Sequence, residues 1–271
     1  MLNLKLQDQI FPQLRQALNS ERSQEFGRRL YRIEIQDQKH WLKLQYRNVS
    51  ALHELSFLNE INQYQNIHQL NGEILSPHQV LDVNNSEHRA IENAIPSLLI
   101  VHELAPLFDV SSAQLSVDAI KSVFLQSLEV LEKLHDLAYI HGDLKVEHFR
   151  AFENRAVLID LEQCVDLNHL VTQENTATPR YMAPELFHAE PKSYATDLYA
   201  LGIIWLEWLT QSKLQAKTYM EWAKLHCQSL KIELDDPFKQ FETLFELLLN
   251  KNKAIRCTNF YQIKQLLSDI V

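Results

Sequence analysis

The amino-acid sequence predicts an α+β fold, in which strands come first along the chain and helices follow. Residues 29–47 alternate apolar and polar side chains in two arms around a polar turn, a pattern typical of a β-hairpin. From about residue 112 onward, apolar residues recur three and four positions apart, as they do along one face of an α-helix.

The rest of the N-terminal part contains two helical patterns and two strand patterns. Residues 7–19 and 50–63 have helical spacing, and Ser50 is the expected N-cap of the second helix. Two short apolar runs, at 78–83 and 97–104, are predicted to be strands.

In the C-terminal part, residues 116–135 and 194–209 are predicted to form helices. The second of these is apolar on nearly all sides, which is typical of a buried central helix. Two short apolar pieces between them flank a turn at 153–155 and predict a second hairpin. No linker or internal repeat divides the chain, so residues 1–271 are predicted to form one domain.

The composition limits the classes of partner. A formal charge of −9 and the absence of any Lys/Arg block argue against a nucleic-acid or acidic-membrane partner. The three cysteines are scattered, which indicates reduced thiols, and we expect a cytoplasmic protein. The most apolar segment, 198–209, is too short to span a bilayer.

Glycine occurs at only four positions, so no G-x-G-x-x-G or G-x-x-x-x-G-K loop exists in this sequence. This excludes the Rossmann and P-loop nucleotide sites.

Two acidic segments carry the candidate chemistry. The first, HGDLKVEH at 141–148, contains Asp143, and the second, VLIDLE, contains Asp160 seventeen residues later. Two acids on loops that flank a hairpin can converge on one metal–phosphate centre. The arrangement resembles that of the protein-kinase superfamily, whose catalytic loop reads H-R-D-x-x-x-x-N and whose metal loop reads D-F-G.

The resemblance extends over about residues 25–269 in the order that the family shows. It identifies an atypical, bacterial Ser/Thr-protein-kinase-like sequence with a bilobal fold. The small N-lobe is expected at about 1–103 and the larger helical C-lobe at about 104–271, with the nucleotide between them. The remaining matched positions are Lys43, Glu54, the Ala183-Pro184-Glu185 element, Asp197, Gly202 and Arg256.

The resemblance implies ATP-dependent transfer of the γ-phosphate to a Ser or Thr hydroxyl of a protein, with Mg²⁺ or Mn²⁺ as the metal. It makes Asp143 the residue that orients the attacking hydroxyl or accepts its proton. Lys145 would neutralise the γ-phosphate, and Asp160 would ligate the metal.

The same resemblance assigns the nucleotide-binding residues. Lys43 would bind the α- and β-phosphates and would be oriented by Glu54, for which Glu60 is the competing residue. Glu103 and Ala105 would meet the adenine through their backbone. His102 would be the gatekeeper.

Four departures from the family pattern bear on activity. Gly142 replaces the catalytic-loop Arg, so we expect a loop that needs no activation-segment phosphate. His148 replaces the second metal-binding Asn, as in the lipopolysaccharide heptose kinases, and imidazole suits Mn²⁺ better than Mg²⁺. Leu161 and Glu162 complete the metal loop in place of Phe and Gly, and the nucleotide-covering loop contains only Gly27.

Three functions stay open at this point. Thr178 favours a protein kinase, because the Ser/Thr kinases use a threonine there to bond the catalytic Asp and Lys. His148 and the D-L-E segment also fit a small-molecule or lipopolysaccharide sugar kinase. The sparse glycine loop fits a pseudokinase that binds nucleotide weakly and acts as a scaffold or switch.

Overall fold

Within the chain, contacts define two compact units, Met1–Leu104 and Ala105–Val271. The computed structural model describes residues 9–25, 27–46, 49–68, 74–75, 78–82, 96–167 and 177–270. Strands dominate the first unit and helices the second, which confirms the predicted α+β fold class. The boundary between the units lies one residue after the lobe boundary expected from the sequence.

The first unit is built on an antiparallel four-stranded sheet with the strand order β1-β2-β4-β3. A two-residue turn at Gln36 and Asp37 joins β1 to β2, and both residues have positive φ, 51° and 61°, as a tight hairpin turn of this length requires. The strands are β1 (Arg28–Ile35), β2 (Gln38–Tyr46), β3 (His78–Asp82) and β4 (Pro96–His102).

The helices named in the described part of this unit are α1 (Glu21–Glu25) and α2 (Val49–His68). Because α2 already includes Val49, Ser50 lies within its first turn and the predicted N-cap is wrong. The apolar core beside the strands consists of Ile10, Ile33, Leu42, Leu44 and Ile100.

The helix predicted over 7–19 is wrong for the residues that the structure describes. Among residues 9–19, only 9 and 10 are α-helical, and a 3-10 turn at Phe11–Gln13 follows them. The chain then bonds to β1 instead, because Leu18 N donates to Leu30 O at 2.8 Å. The Asn19 side chain also bonds to the backbone of Arg28 and Leu30. These sheet contacts replace the hydrogen bonds that a continuing helix would have made.

Within 105–167 and 177–270, the described residues of the second unit, lie most of the helices and two short strand pairs. β5 (Tyr139–Ile140) pairs with β8 (Val165–Asp166), and β6 (Phe149–Phe152) pairs with β7 (Arg155–Leu158). The second pair is the predicted hairpin. The helices are α3 (Val117–Asp136), α4 (Tyr194–Thr210), α5 (Tyr219–Lys224), α6 (Glu242–Leu248) and α7 (Phe260–Asp269).

Helix α4 is the centre of this unit and is buried from Ala195 to Leu209. The Trp205 ring stacks on Phe124 of α3 with 4.2 Å between ring centroids. At Gly202 an added Cβ would lie 2.8 Å from Leu249 Cδ2, so a larger residue would force the packed leucine to shift. Although α4 is strongly apolar, the part of the chain that the structure describes has no helix long and apolar enough to cross a membrane.

Candidate active site

The Lys43–Glu54 pair lies within the first unit. Lys43 Nζ on β2 is 2.8 Å from Glu54 Oε2 on α2, and the side chains are 12% and 5% exposed. The competing Glu60 is exposed on the same helix. The structure therefore pairs Lys43 with Glu54, and a lysine held in this way has a fixed position for its ammonium group.

Glu103, which follows β4, is held by hydrogen bonds to other residues of the first unit. The Glu103 carboxylate accepts hydrogen bonds from Arg32 Nε and Nη2 at 2.9 and 2.8 Å, and the Glu103 N–H donates to Lys39 O at 2.9 Å. The carbonyl is therefore the backbone group that Glu103 would offer to a ligand.

At the start of the second unit, the Ala105 carbonyl accepts a hydrogen bond from Ala151 N at 2.9 Å. Ala105 itself is exposed. The backbone group left for the predicted adenine contact at this position is therefore the N–H.

Asp143 and Lys145 form the centre of the candidate site in the second unit. Lys145 Nζ lies 3.0 Å from Asp143 Oδ2, and the two side chains are 23% and 16% exposed. The other oxygen, Asp143 Oδ1, accepts a hydrogen bond of 2.7 Å from the backbone N–H of Thr178. The contact from Thr178 to Asp143 is thus made by the backbone amide.

Asp197 holds the loop that carries Asp143. Its carboxylate is 1% exposed and accepts hydrogen bonds from the amides of His141 and Gly142 at 2.7 and 2.9 Å. His135 Nε2 lies 3.0 Å from the same carboxylate. Burial would raise the pKa of Asp197, but the bonds from His135 and Gly142 lower it below its usual value. Asp197 therefore stays ionised and supports the loop from within the core.

His141 packs beneath the loop. The side chain is fully buried, and its ring stacks on His148 with 5.3 Å between centroids. Burial first, and then the neighbouring His148, lower the pKa of His141 to about 4. The ring is therefore neutral near pH 7, which fits a packing role.

The candidate metal ligands lie together in the second unit. His148 Nε2 is 3.3 Å from Asp160 Oδ2, and the backbone N–H of Ile159 donates to His148 O at 3.1 Å. Asp160 has φ of 61°, a left-handed conformation that is uncommon for a residue other than glycine and is found at constrained functional positions. One imidazole nitrogen and one carboxylate can ligate a divalent cation.

A second carboxylate lies near Asp160. Glu162 is buried, and one of its oxygens lies within 4.8 Å of an Asp160 oxygen. In the sequence, Glu162 is a departure from the family pattern and is not among the predicted metal ligands. The signal for it is the D-x-E spacing, which places two acids on one short loop.

A buried ion pair between Glu185 and Arg256 anchors the Ala183-Pro184-Glu185 element. Arg256 Nη1 and Nη2 contact the two carboxylate oxygens of Glu185 at 2.7 and 2.9 Å. Arg256 also donates to Ala195 O and Asn250 O, and its guanidinium lies 4.8 Å from the ring centroid of Tyr199. Together, these contacts hold the Arg256 guanidinium in a single orientation.

One family model and several known proteins are similar in sequence to this chain. The family model described as "Protein kinase domain" matches residues 16–269. A Dictyostelium discoideum protein named "Probable serine/threonine-protein kinase mkcF" is 28% identical over 165 residues, covering 54% of this chain and 24% of that protein. The Pyricularia oryzae "Serine/threonine-protein kinase MST20" is 29% identical over 171 residues, covering 56% of this chain and 19% of that protein.

A plant protein is similar over a comparable length. The Arabidopsis thaliana "Probable L-type lectin-domain containing receptor kinase S.5" is 26% identical over 159 residues, which cover 50% of this chain and 24% of that protein. This chain thus aligns with about a quarter or less of the length of these three curated relatives. Since the family model covers more than nine-tenths of the sequence, this chain belongs to the protein kinase domain family.

Proposed function

We propose that this chain is an ATP-dependent kinase that transfers the γ-phosphate of ATP to a Ser or Thr hydroxyl of a protein. The observation that carries the proposal is the double anchoring of Asp143, whose two carboxylate oxygens are held by Lys145 and by the Thr178 amide. A carboxylate held in this way can orient a hydroxyl for attack, and positioning is the main contribution of a protein to phosphoryl transfer.

Each charged group of the site has a separate role in binding the triphosphate or in the transfer step. Lys145 neutralises charge on the γ-phosphate as the hydroxyl oxygen attacks, and Asp143 accepts the hydroxyl proton. Lys43, fixed by Glu54, binds the α- and β-phosphates. Glu103 offers its carbonyl and Ala105 its N–H to the adenine.

Asp160, Glu162 and His148 would hold the divalent cation. A bound Mg²⁺ or Mn²⁺ supplies positive charge that offsets the charge of the phosphate oxygens. The oxygens of Asp160 and Glu162 suit either metal, whereas His148 Nε2 is a better ligand for Mn²⁺.

His148 gives a prediction on metal preference. We expect Mn²⁺ to support faster turnover than Mg²⁺. His148→Asn exchanges the imidazole nitrogen for the amide oxygen that the family has at this position, so it should lower the ratio of the Mn²⁺ rate to the Mg²⁺ rate severalfold. Titration of both metals in a steady-state assay measures this effect. An identical metal profile for wild type and His148→Asn would remove His148 from the metal site.

The function is tested with γ-labelled ATP and a generic basic protein as acceptor. Wild type should label the acceptor or itself on Ser or Thr, and Asp143→Asn and Asp160→Asn should not. Phosphoamino-acid analysis identifies the acceptor hydroxyl.

The remaining outcomes decide between the alternative functions. Labelling of a lipopolysaccharide sugar in place of protein would make the chain a sugar kinase. A nucleotide-induced rise in melting temperature without any transfer would make it a nucleotide-binding pseudokinase, the function that fits the single glycine of the nucleotide-covering loop and the buried Glu162.

A further inference from the structure

A buried lysine lies beside Gly142, at the position where the family has the catalytic-loop arginine. Lys192 is 8% exposed and lies two residues before Tyr194, the first residue of α4. A Cβ built on Gly142 would lie 2.8 Å from Lys192 Cδ and 2.9 Å from Lys192 Nζ. The lysine side chain therefore fills the space that a side chain at position 142 would enter.

The backbone conformation at position 142 and a nearby backbone oxygen favour glycine there. Gly142 has φ of 77°, which disfavours any other residue, and the same Cβ would lie 2.6 Å from the backbone oxygen of Gln163. Three parts of the chain therefore meet around Gly142. They are the 141–148 loop, the segment after Asp160 and the side chain of Lys192.

The ammonium group of Lys192 lies among polar groups of these segments. Its Nζ is 3.4 Å from Gln163 Oε1. Burial lowers the pKa of Lys192, while the negative charges of Asp143 and Asp197 and the Cys164 thiol oppose that shift. A cation in this position attracts the carboxylate of Asp197, which anchors the loop, and that of Asp143, the proposed proton acceptor.

We propose that Lys192 is a positioning residue for phosphoryl transfer, which supplies from inside the fold the positive charge that the family's catalytic-loop arginine provides. The proposal rests on the proposed function and deepens it. The ammonium is buried and engaged with Gln163, so it supports Gly142 and Asp143 whether or not the activation segment carries a phosphate. A kinase built in this way is active without activation-segment phosphorylation.

The charge is tested with Lys192→Met, which keeps most of the side-chain volume, and Lys192→Arg, which keeps the charge. Lys224→Met, on the exposed face of α5, is the matched control for losing a cation. We expect Lys192→Met to lower kcat about tenfold while the KM for ATP changes less than about threefold, because Asp143 is displaced but the nucleotide contacts are kept. Lys192→Arg should recover most of the lost kcat, and Lys224→Met should match wild type.

Two kinetic results would overturn the proposal. The first is an unchanged kcat in Lys192→Met. The second is an equal loss in Lys192→Met and Lys192→Arg, which would show that shape and not charge is responsible.

A measurement on the wild-type protein covers the case in which Lys192→Met does not fold. Wild type treated with a phosphatase, and shown by mass spectrometry to carry no phosphate, should keep its initial rate on an added protein acceptor. Loss of that rate on dephosphorylation, with recovery on autophosphorylation, would overturn the proposal.

Hydrogen exchange separates this proposal from the proposed function. If wild type transfers no phosphate, Lys192→Met should still speed amide exchange in peptides that contain Gly142 and Gln163, and Lys224→Met should not. Unchanged exchange in both peptides would show that Lys192 does not position the loop.

Discussion

Replacing Asp143 with asparagine is expected to lower kcat about a thousandfold, within the range that general acid–base catalysis contributes. The asparagine has nearly the same shape, and its oxygen can still accept the hydrogen bond from the Thr178 amide. In the wild type, Lys145 Nζ lies 3.0 Å from the Asp143 Oδ2 atom. In the variant the asparagine NH₂ group would take the place of that oxygen, and two hydrogen-bond donors would face each other. The variant loses both the proton acceptor and the partner that holds Lys145.

Steady-state kinetics with a protein acceptor measure this effect. The KM for ATP should change little, because the nucleotide contacts assigned to Lys43, Glu103 and Ala105 do not involve Asp143. Asp109→Asn, which removes an exposed carboxylate of the same unit, is the control and should match wild type. If Asp143→Asn kept more than a tenth of the wild-type kcat with an unchanged melting temperature, Asp143 would not be the base.

The two long helices of the second unit could be predicted closely from the sequence. The predicted ranges 116–135 and 194–209 correspond to Val117–Asp136 and Tyr194–Thr210 in the structure. Helical periodicity is a local property, and in both helices the apolar positions are the ones that the core buries. The hairpin β1–β2 was predictable for the same reason, since its alternation is also local.

The segment 9–19 shows why local pattern is insufficient elsewhere. Ile10, Leu14 and Leu18 have helical spacing, yet Leu18 is 59% exposed and its N–H bonds to β1. The Asn19 side chain also bonds to the backbone of β1, at the Arg28 carbonyl and the Leu30 amide. Contacts with a distant strand decided the conformation, and such contacts leave no periodic signal.

Within the candidate site, the resemblance supplied residue identities and the structure supplied contacts. Asp143 and Lys145 were named from the motif, but the bond from the Thr178 amide depends on the path of the backbone, which a motif does not specify. Lys192 could not be identified at all, because it lies fifty positions after Gly142 and matches no motif. Only the close packing of the folded chain places its side chain at the loop.

The largest effect on stability is expected from Arg256→Met, which should lower the free energy of unfolding by about 3–5 kcal/mol. The Arg256 and Glu185 side chains are 0% and 3% exposed, and the guanidinium makes two bonds to the carboxylate and two to backbone carbonyls. Methionine fills much of the space but leaves the Glu185 carboxylate buried without its counter-charge, which is far costlier than the loss of a surface pair.

Urea unfolding followed by circular dichroism measures this change, and Lys231→Met provides the matched control. Lys231 Nζ lies 3.9 Å from Glu233, but both side chains are about 80% exposed, so that substitution should cost less than about 1 kcal/mol. The double variant Glu185→Leu with Arg256→Met separates charge from packing, because replacing a buried pair by apolar residues is often neutral. It should be more stable than Arg256→Met alone. If Arg256→Met lowered the free energy of unfolding no more than Lys231→Met does, the buried Arg256–Glu185 pair would stabilise the protein no more than an exposed pair. The Ala183-Pro184-Glu185 element would then be held by its other contacts.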